Sequence, residues 1–339
     1  MTLKDIAEKA GVSMMTVSNV INGKHNRVSA KTIEKVNAII KECGYVPNLS
    51  ARSLTNKTSN IIGVLITEYA DDDLENYLEN PYISTMLGTI ERQLRKNGYY
   101  TMVRAISQQS DIMVLLKNWN VDGIIFLHPD FQNHLEDFYT QTGCPVAVFD
   151  GSIPLPGLIN ITSNDQKGLY LSTKYMINHG HTRIAFVADY EGVDILTNRF
   201  LGYRQALEES GIPFRPEYIF PYTPSYEGGI EAGKRIAGGQ NEITAVVTTA
   251  DICAIGVMEG ARLSGYRIPI DLSVIGFDNL KLCQYTVPKL TSISQNIPEK
   301  AKTAVDLLLE QIRTGTLSRS GAVQMDVEIV ERQSVVSLF

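Results

Sequence analysis

The feature that most constrains this chain is an alternation running from about residue 60 onward. Short apolar runs, Ile61–Ile66, Tyr100–Ala105, Gly123–Leu127, Val146–Phe149, Ile184–Val187, Ala245–Thr248 and Val274–Phe277, are separated by amphipathic stretches such as Thr85–Lys96, Leu169–Asn178, Asn198–Glu209 and Cys253–Ser264. Continuous apolar runs of this length read as strands buried on both faces, as parallel sheets require. The amphipathic stretches supply the crossover helices, so the predicted class is doubly wound α/β. Roughly 280 residues of such structure exceed one core and predict two lobes. Late strands near Leu290–Ser294 and Val323–Glu331 predict that the chain crosses between lobes more than once, with a ligand cleft at the junction.

The first sixty residues follow a different rule. Thr2 and Asp5 form a capping box opening a helix with Leu3, Ile6, Ala7 and Ala10 on one face. Gly11-Val12 is a tight turn. Ser13 caps a second helix with Val17, Val20 and Ile21 inward, and Asn22-Gly23 stops it. Ser29 caps a third, with Ile33, Val36, Ile39 and Ile40 inward, ended by Gly44. Three short helices, the first two joined at a glycine turn, describe a helix-turn-helix domain.

Charge separates the same two regions. Residues 1–60 carry nine Lys/Arg against four acids, or +5, whereas the whole chain is −6, which leaves −11 for the rest. A small basic module on a large acidic one predicts that only the first meets a polyanion. Other classes drop out. Mean hydropathy is −0.06, and no apolar run approaches the ~20 residues of a membrane span. The N-terminus has no apolar leader core, so a cytoplasmic chain is expected. Cys43, Cys144, Cys253 and Cys283 lie far apart, which argues against a zinc site or disulfide frame. His179 and His181 lack further ligands at metal-binding spacing and read as structural. Neither a metal nor a cofactor is expected.

The second helix carries the functional signal. Its first turn projects Met14, Met15 and Thr16, with Asn19 one turn later. Exposed methionines at a helix start suit the thymine methyls of a major groove, and Asn can bond adenine with both amide atoms. The hydroxyls of Ser13, Thr16 and Ser18 and the helix N-terminus suit phosphates. A three-helix protein-interaction module with a solvated methionine pair is the alternative.

The stretches Thr2–Ser13, Thr16–Gly23, Val28–Thr32 and Gly44–Leu54 resemble the DNA-binding end of the lactose-repressor (LacI/GalR) family almost without gaps. The resemblance implies a transcriptional regulator, most often a repressor. It implies a homodimer, with a tetramer open, that sets two recognition helices in successive major grooves of a near-palindromic operator. It extends the DNA-binding set to Asn22, Ser29, Thr32, Tyr45, Asn48 and Ala51. One departure is Asn19, where the family most often has Arg. Arg favours guanine and Asn favours adenine, so the operator should differ at the facing base pair.

Residues 46–59 form a linker. Pro47 forbids helix at Val46, and Asn48 can cap a short helix from Leu49 to Leu54, too short to be stable alone in water. A passive flexible linker is the plain reading. The family implies a hinge helix that orders on DNA, with Leu54 wedged into the minor groove.

The expected architecture is thus a small all-α helix-turn-helix headpiece (1–45), a hinge (46–59) and an α/β two-lobed core (60–339). By resemblance, that core is like a periplasmic sugar-binding protein. Doubly wound sheets bind ligands at strand C-termini. Asp150 and Asp278 stand there, Arg199 lies at the start of a helix, and Tyr82 follows Asn80-Pro81. Two acids, a bidentate donor and an aromatic face suit a polyhydroxylated ligand, although each acid alone could simply cap a loop. By resemblance, Asn80-Pro-Tyr82, Asp150, Arg199 and Asp278 match the family's effector-binding elements. Ala250 stands where the family often has Asn, which removes one usual contact. The acidic stretch Glu68–Glu79 reads as a solvated loop or as a lid over the cleft.

Gly228–Lys234 nearly matches a phosphate loop, but Arg235 replaces the metal-binding hydroxyl and the segment reads as helix. No nucleophile elbow or zinc-protease motif occurs, so an enzyme is not expected. A sugar-processing enzyme or a solute-binding protein on the same core are the alternative classes.

Overall fold

The computed structural model describes residues 2–21, 23, 25–45, 58–67, 77–106, 120–127, 135–151, 155–239, 242–318 and 321–339. The chain divides into two compact units, Met1–Asn60 and Ile61–Phe339.

In the first unit, α1 (Leu3–Ala10), α2 (Met14–Ile21) and α3 (Ala30–Cys43) enclose a core of Ile6, Ala7, Ala10, Val17, Val20 and Val36. Local chemistry sets their ends. The Asp5 N–H donates to Thr2 Oγ1 while the Thr2 N–H donates to the Asp5 carboxylate at 2.7 Å, a reciprocal cap. Gly11 and Gly44, at φ 65° and 58°, close α1 and α3 in the left-handed region.

The second unit runs in chain order β1 (Ile61–Thr67), α4 (Pro81–Lys96), β2 (Tyr100–Ile106), β3 (Gly123–Leu127), α5 (Leu135–Thr142), β4 (Val146–Phe149), β5 (Ile159–Ser163), α6 (Asp165–Asn178), β6 (Ile184–Val187), α7 (Asp194–Glu209), β7 (Ile219–Phe220), α8 (Tyr226–Gly238), β8 (Ala245–Thr248), α9 (Asp251–Leu263), β9 (Ser273–Asp278), β10 (Thr291–Ser294), α10 (Ile297–Thr314), β11 (Ala322–Met325) and β12 (Glu328–Val330). Two six-stranded sheets result, in the orders β11-β5-β4-β3-β1-β2 and β12-β10-β9-β8-β6-β7. All pairings are parallel except β10 with β12. Each sheet has apolar clusters on both faces, which is why its central strands read as unbroken apolar runs. The chain passes between lobes three times, after β5, after β10 and after β11.

Several expectations need correction. Tyr100–Ala105 is an edge strand and mostly half-buried, not buried on both faces. Val323–Glu331 is two strands, not one: β11 joins the first sheet, β12 the second, and the third crossing lies between them. The helices begin two to four residues earlier than apolar periodicity indicates, and side-chain caps from Asn80 and Asn164 hold the first turns of α4 and α6. Asn80 Oδ1 accepts from the Tyr82 and Ile83 N–H groups, so α4 starts at Pro81 rather than Thr85. Arg199 consequently lies in the second turn of α7, not at its start. The predicted hinge helix Leu49–Leu54 and the acidic stretch 68–76 lie outside the described residues.

The glycines of the phosphate-loop look-alike have a packing purpose. Gly229 and Gly233 on α8 face Gly256 and Gly260 on α9, and a Cβ on any of the four would stand 2.1–2.4 Å from a carbonyl oxygen of the opposite helix. The segment is helix, and its small residues let two backbones touch.

Candidate functional site

The headpiece presents the start of α2. Ser13 Oγ accepts from the Thr16 N–H at 3.1 Å, and the two hydroxyls lie 2.9 Å apart. Ser29 and Thr32 repeat the arrangement at α3, with their hydroxyls 2.8 Å apart. Capping one N–H leaves the other free donors of each first turn available to an anion. Met14 and Met15 are 56% and 72% exposed, although Val17 and Val20 on the same helix are buried. Ser18, Asn19 and Tyr45 are half-buried, and Tyr45 packs on the headpiece core. Asn22, Asn48, Ala51 and Leu54 lie outside the described residues.

In the second unit the four predicted effector residues meet where the lobes join. β4 delivers Asp150 and β9 ends in Asp278, with φ at 58° and 116° respectively. Positive φ is costly for a residue with a Cβ and persists only where surroundings hold it. Asn160 supplies part of that hold: its side chain accepts from the Gly151 N–H and donates to the Gly151 carbonyl. Tyr82, in the first turn of α4, donates a long hydrogen bond of 3.5 Å to Asp150 Oδ2. Burial first, then the charges of Asp150 and Asp278, hold the Tyr82 phenol protonated far above its usual range.

Arg199 is fixed from three sides. Its Nε and Nη2 donate to Asp165 Oδ1 at 2.8 and 2.7 Å, Nη1 donates to the Thr249 carbonyl, and the guanidinium lies over the Phe277 ring. Asp165 opens α6, and Arg199 reaches it because α6 and α7 nearly touch. A Cβ on Gly202 would stand 2.0 Å from the Gln166 carbonyl oxygen. Burial raises the Asp165 carboxyl above its ordinary value, and Arg199 opposes that shift.

A second ion pair lies beside it. Lys300, fully buried on α10, donates to both oxygens of Asp150 at 2.7 Å, to Ser163 Oγ at 2.9 Å and to Gln295 Oε1 at 3.1 Å. Gln295 lies on the second crossing, and its Nε2 donates to Asp278 Oδ1 at 2.6 Å. Ser163 ends β5 at the first crossing and donates to Gln295 Oε1 at 2.7 Å. The third crossing is tied in by the Asn164 N–H donating to the Met325 carbonyl. Burial, and then the nearby Asp251 charge, push the Asp278 carboxyl up to about 8.

Lys300, Asp165, Ser163 and Gln295 were not among the predicted site residues. Lys300 did leave a sign. It falls among Ile297, Ala301 and Ala304 on the apolar stripe of its helix, where a cation needs a buried partner. Asp165 left none, since an acid in a first turn is ordinary. Ala250 occupies the N-cap position of α9 and makes no side-chain cap bond. His181 bonds Thr244 Oγ1 and the Val336 carbonyl, a structural role.

Residues 2–48 match the model of bacterial regulatory proteins of the lacI family, and residues 173–335 that of the periplasmic binding protein-like domain. The HTH-type transcriptional repressor PurR of Vibrio vulnificus is 32% identical over 339 residues, 98% of each chain. The chain belongs to the LacI family. It is a DNA-binding transcriptional repressor governed by a small-molecule effector. Two solved structures of this LacI-type architecture are similar to it. A lac repressor dimer bound to operator and the anti-inducer ONPF has a TM-score of 0.85 at 27% identity, covering 99% of both chains. A LacI family regulator from Enterococcus faecium with bound ribose has a TM-score of 0.72 at 26% identity, covering 82% of this chain and all of the other. Among the described residues, no helix is long and apolar enough to cross a membrane.

Proposed function

We propose that this LacI family repressor binds a near-palindromic operator as a homodimer, and that a sugar or related metabolite lodged between the core lobes sets the strength of that binding. In this reading residues 1–45 are the headpiece, 46–59 the hinge and 60–339 the core. Met14, Met15 and Asn19 read the major groove. Ser13, Thr16, Ser18, Asn22, Ser29, Thr32, Tyr45, Asn48 and Ala51 position the headpiece on the duplex, and Leu54 enters the minor groove. Tyr82, Asp150, Arg199 and Asp278 form the effector floor. The protein works in the cytoplasm, where its operator is, and catalyses no reaction.

One observation carries this reading: Gln295, on the second crossing between the lobes, bonds Asp278 of one lobe and Lys300 of the other through opposite ends of one amide. A ligand that rearranges this floor changes how the lobes stand, and so biases the hinges between ordered and disordered states. The operator-bound dimer of the similar lac repressor and the ribose held by the similar Enterococcus regulator favour the same reading. Exposed Leu263, Tyr285 and Val287, all in the second lobe, offer apolar surface for a partner copy.

Selection of duplexes from a random pool by the full chain, with and without a metabolite panel, tests it. A two-fold-symmetric consensus whose recovery depends on one metabolite is expected. Recovery of no consensus under any condition would overturn the reading.

A further inference from the structure

We propose that Lys300 is a specificity-determining residue: an internal counter-ion that saturates Asp150, leaves Asp278 as the carboxyl group open to the effector, and so fits the cleft to an uncharged, hydrogen-bonding ligand rather than an anionic one. This rests on the reading that a small molecule acts through the cleft.

The argument is a count of hydrogen bonds. A carboxylate offers about four lone-pair sites. On Asp150, Oδ1 accepts from Lys300 and from the Ser163 N–H at 3.3 Å, and Oδ2 accepts from Lys300 and Tyr82. All four are taken within the protein. Lys300 is fully buried, so its ammonium has no side turned to a ligand. Asp278 contrasts with this. Its Oδ1 accepts from Gln295, and its Oδ2 accepts from nothing among the described residues. Lys300 also acts at a distance. By donating to Gln295 Oε1 it turns the amide so that Nε2 faces Asp278. Lys300 is therefore a positioning residue that works through two others.

Charge leads to the same ligand class. Lys300 cancels Asp150, and Arg199 cancels Asp165. Arg199 still has two of its five N–H groups unspent after those given to Asp165 and Thr249. Thr249 Oγ1, on the residue whose carbonyl Arg199 holds, is buried and unpartnered among the described residues. The floor thus offers donors and the open carboxyl of Asp278, with no unpaired cation. A phosphate would bring charge that no cation of the floor is left to neutralise.

The test uses the purified full chain in thermal-shift and titration measurements with matched probes: glucose, glucosamine and glucose 6-phosphate; ribose and ribose 5-phosphate; adenosine and its monophosphate. An uncharged member should bind at least ~10-fold tighter than its phosphate. Asp150→Asn combined with Lys300→Met keeps the floor's charge and should keep the preference for each uncharged probe over its phosphate, whatever the absolute affinity. Asp278→Ala removes the open carboxyl and should lose about 30-fold or more. Lys300→Met alone frees Asp150 and should raise glucosamine about 10-fold relative to glucose, a change that loss of packing alone would not produce. If Lys300→Met does not fold, the double variant and Asp278→Ala still decide. A phosphate that outcompetes its parent, or a double variant that loses the preference for the uncharged probe, overturns the assignment while leaving the effector reading intact. Silence of every member of every set overturns both.

Discussion

The guanidinium carbon of Arg199 stands 3.7 Å above the centre of the Phe277 ring, and Phe277 is the residue directly before Asp278. Phe277 is wholly buried in the second lobe. One rigid ring therefore sets the height of the cation and, through the next peptide, the place of the carboxylate. Stacking of this kind is open to a planar guanidinium and not to an ammonium.

Arg199→Ala removes the counter-ion of a carboxylate that is nearly buried with it. Breaking such a pair from one side costs about 3–5 kcal/mol. Chemical denaturation of the full chain should show a loss of that order. Duplex binding should survive while its response to effector disappears. A variant that still answers to effector would remove Arg199 from the floor.

The raised Asp278 carboxyl makes a pH prediction. In the unfolded chain an Asp ionises near ~3.9, whereas burial holds this one protonated up to about 8. Between those values the folded core binds the extra proton, so this contribution to stability falls as pH rises. Asp278→Asn cannot ionise, and its melting temperature should drop less than wild type between pH 5 and 8. His181, whose value burial lowers, has the opposite slope but is common to both proteins and cancels. Parallel melting profiles for the two proteins would contradict the assignment.

Gly256→Ala tests the helix contact made by the glycines of the phosphate-loop look-alike. Its Cβ would stand 2.1 Å from the Tyr226 carbonyl oxygen, and a backbone atom cannot rotate away. Overpacking of this kind costs about 1–3 kcal/mol or more. Denaturant titration should register it, and adenosine triphosphate should leave the wild-type melt unchanged. A neutral substitution would mean that the helices separate easily.

Asn19→Arg bears on operator reading. Asn pairs with adenine and Arg with guanine, each pair contributing roughly 1–3 kcal/mol of discrimination. Duplex selection with the variant should move one position of each half-site from adenine toward guanine. An unchanged consensus would place Asn19 away from the bases.

How much was legible in the chain depended on the range of the interaction responsible. The headpiece caps at Thr2, Ser13 and Ser29 and the glycine stops at Gly11 and Gly44 act within four residues, and all are found where the sequence places them. Gly123–Leu127, Val146–Phe149, Ile184–Val187 and Ala245–Thr248 agree to the residue, because a strand buried on both faces tolerates no polar interruption. β5 escaped notice because the polar, half-buried Asn160 and Thr162 break its apolar run, and β7 is only two residues long.

By itself, then, the sequence determined the helix ends, the central strands, the class of fold and the candidate residues at strand exits, since each follows from neighbours along the chain. Only the tertiary structure decided that Lys300 meets Asp150 across 150 positions and that Arg199 meets Asp165 across 34. The apolar stripe around Lys300 marks the need for a buried partner, but nothing local says which residue that partner is. A charge becomes tolerable in the interior only when chain crossings and close-packed helices bring its partner within bonding distance, and that is a property of topology rather than of any segment.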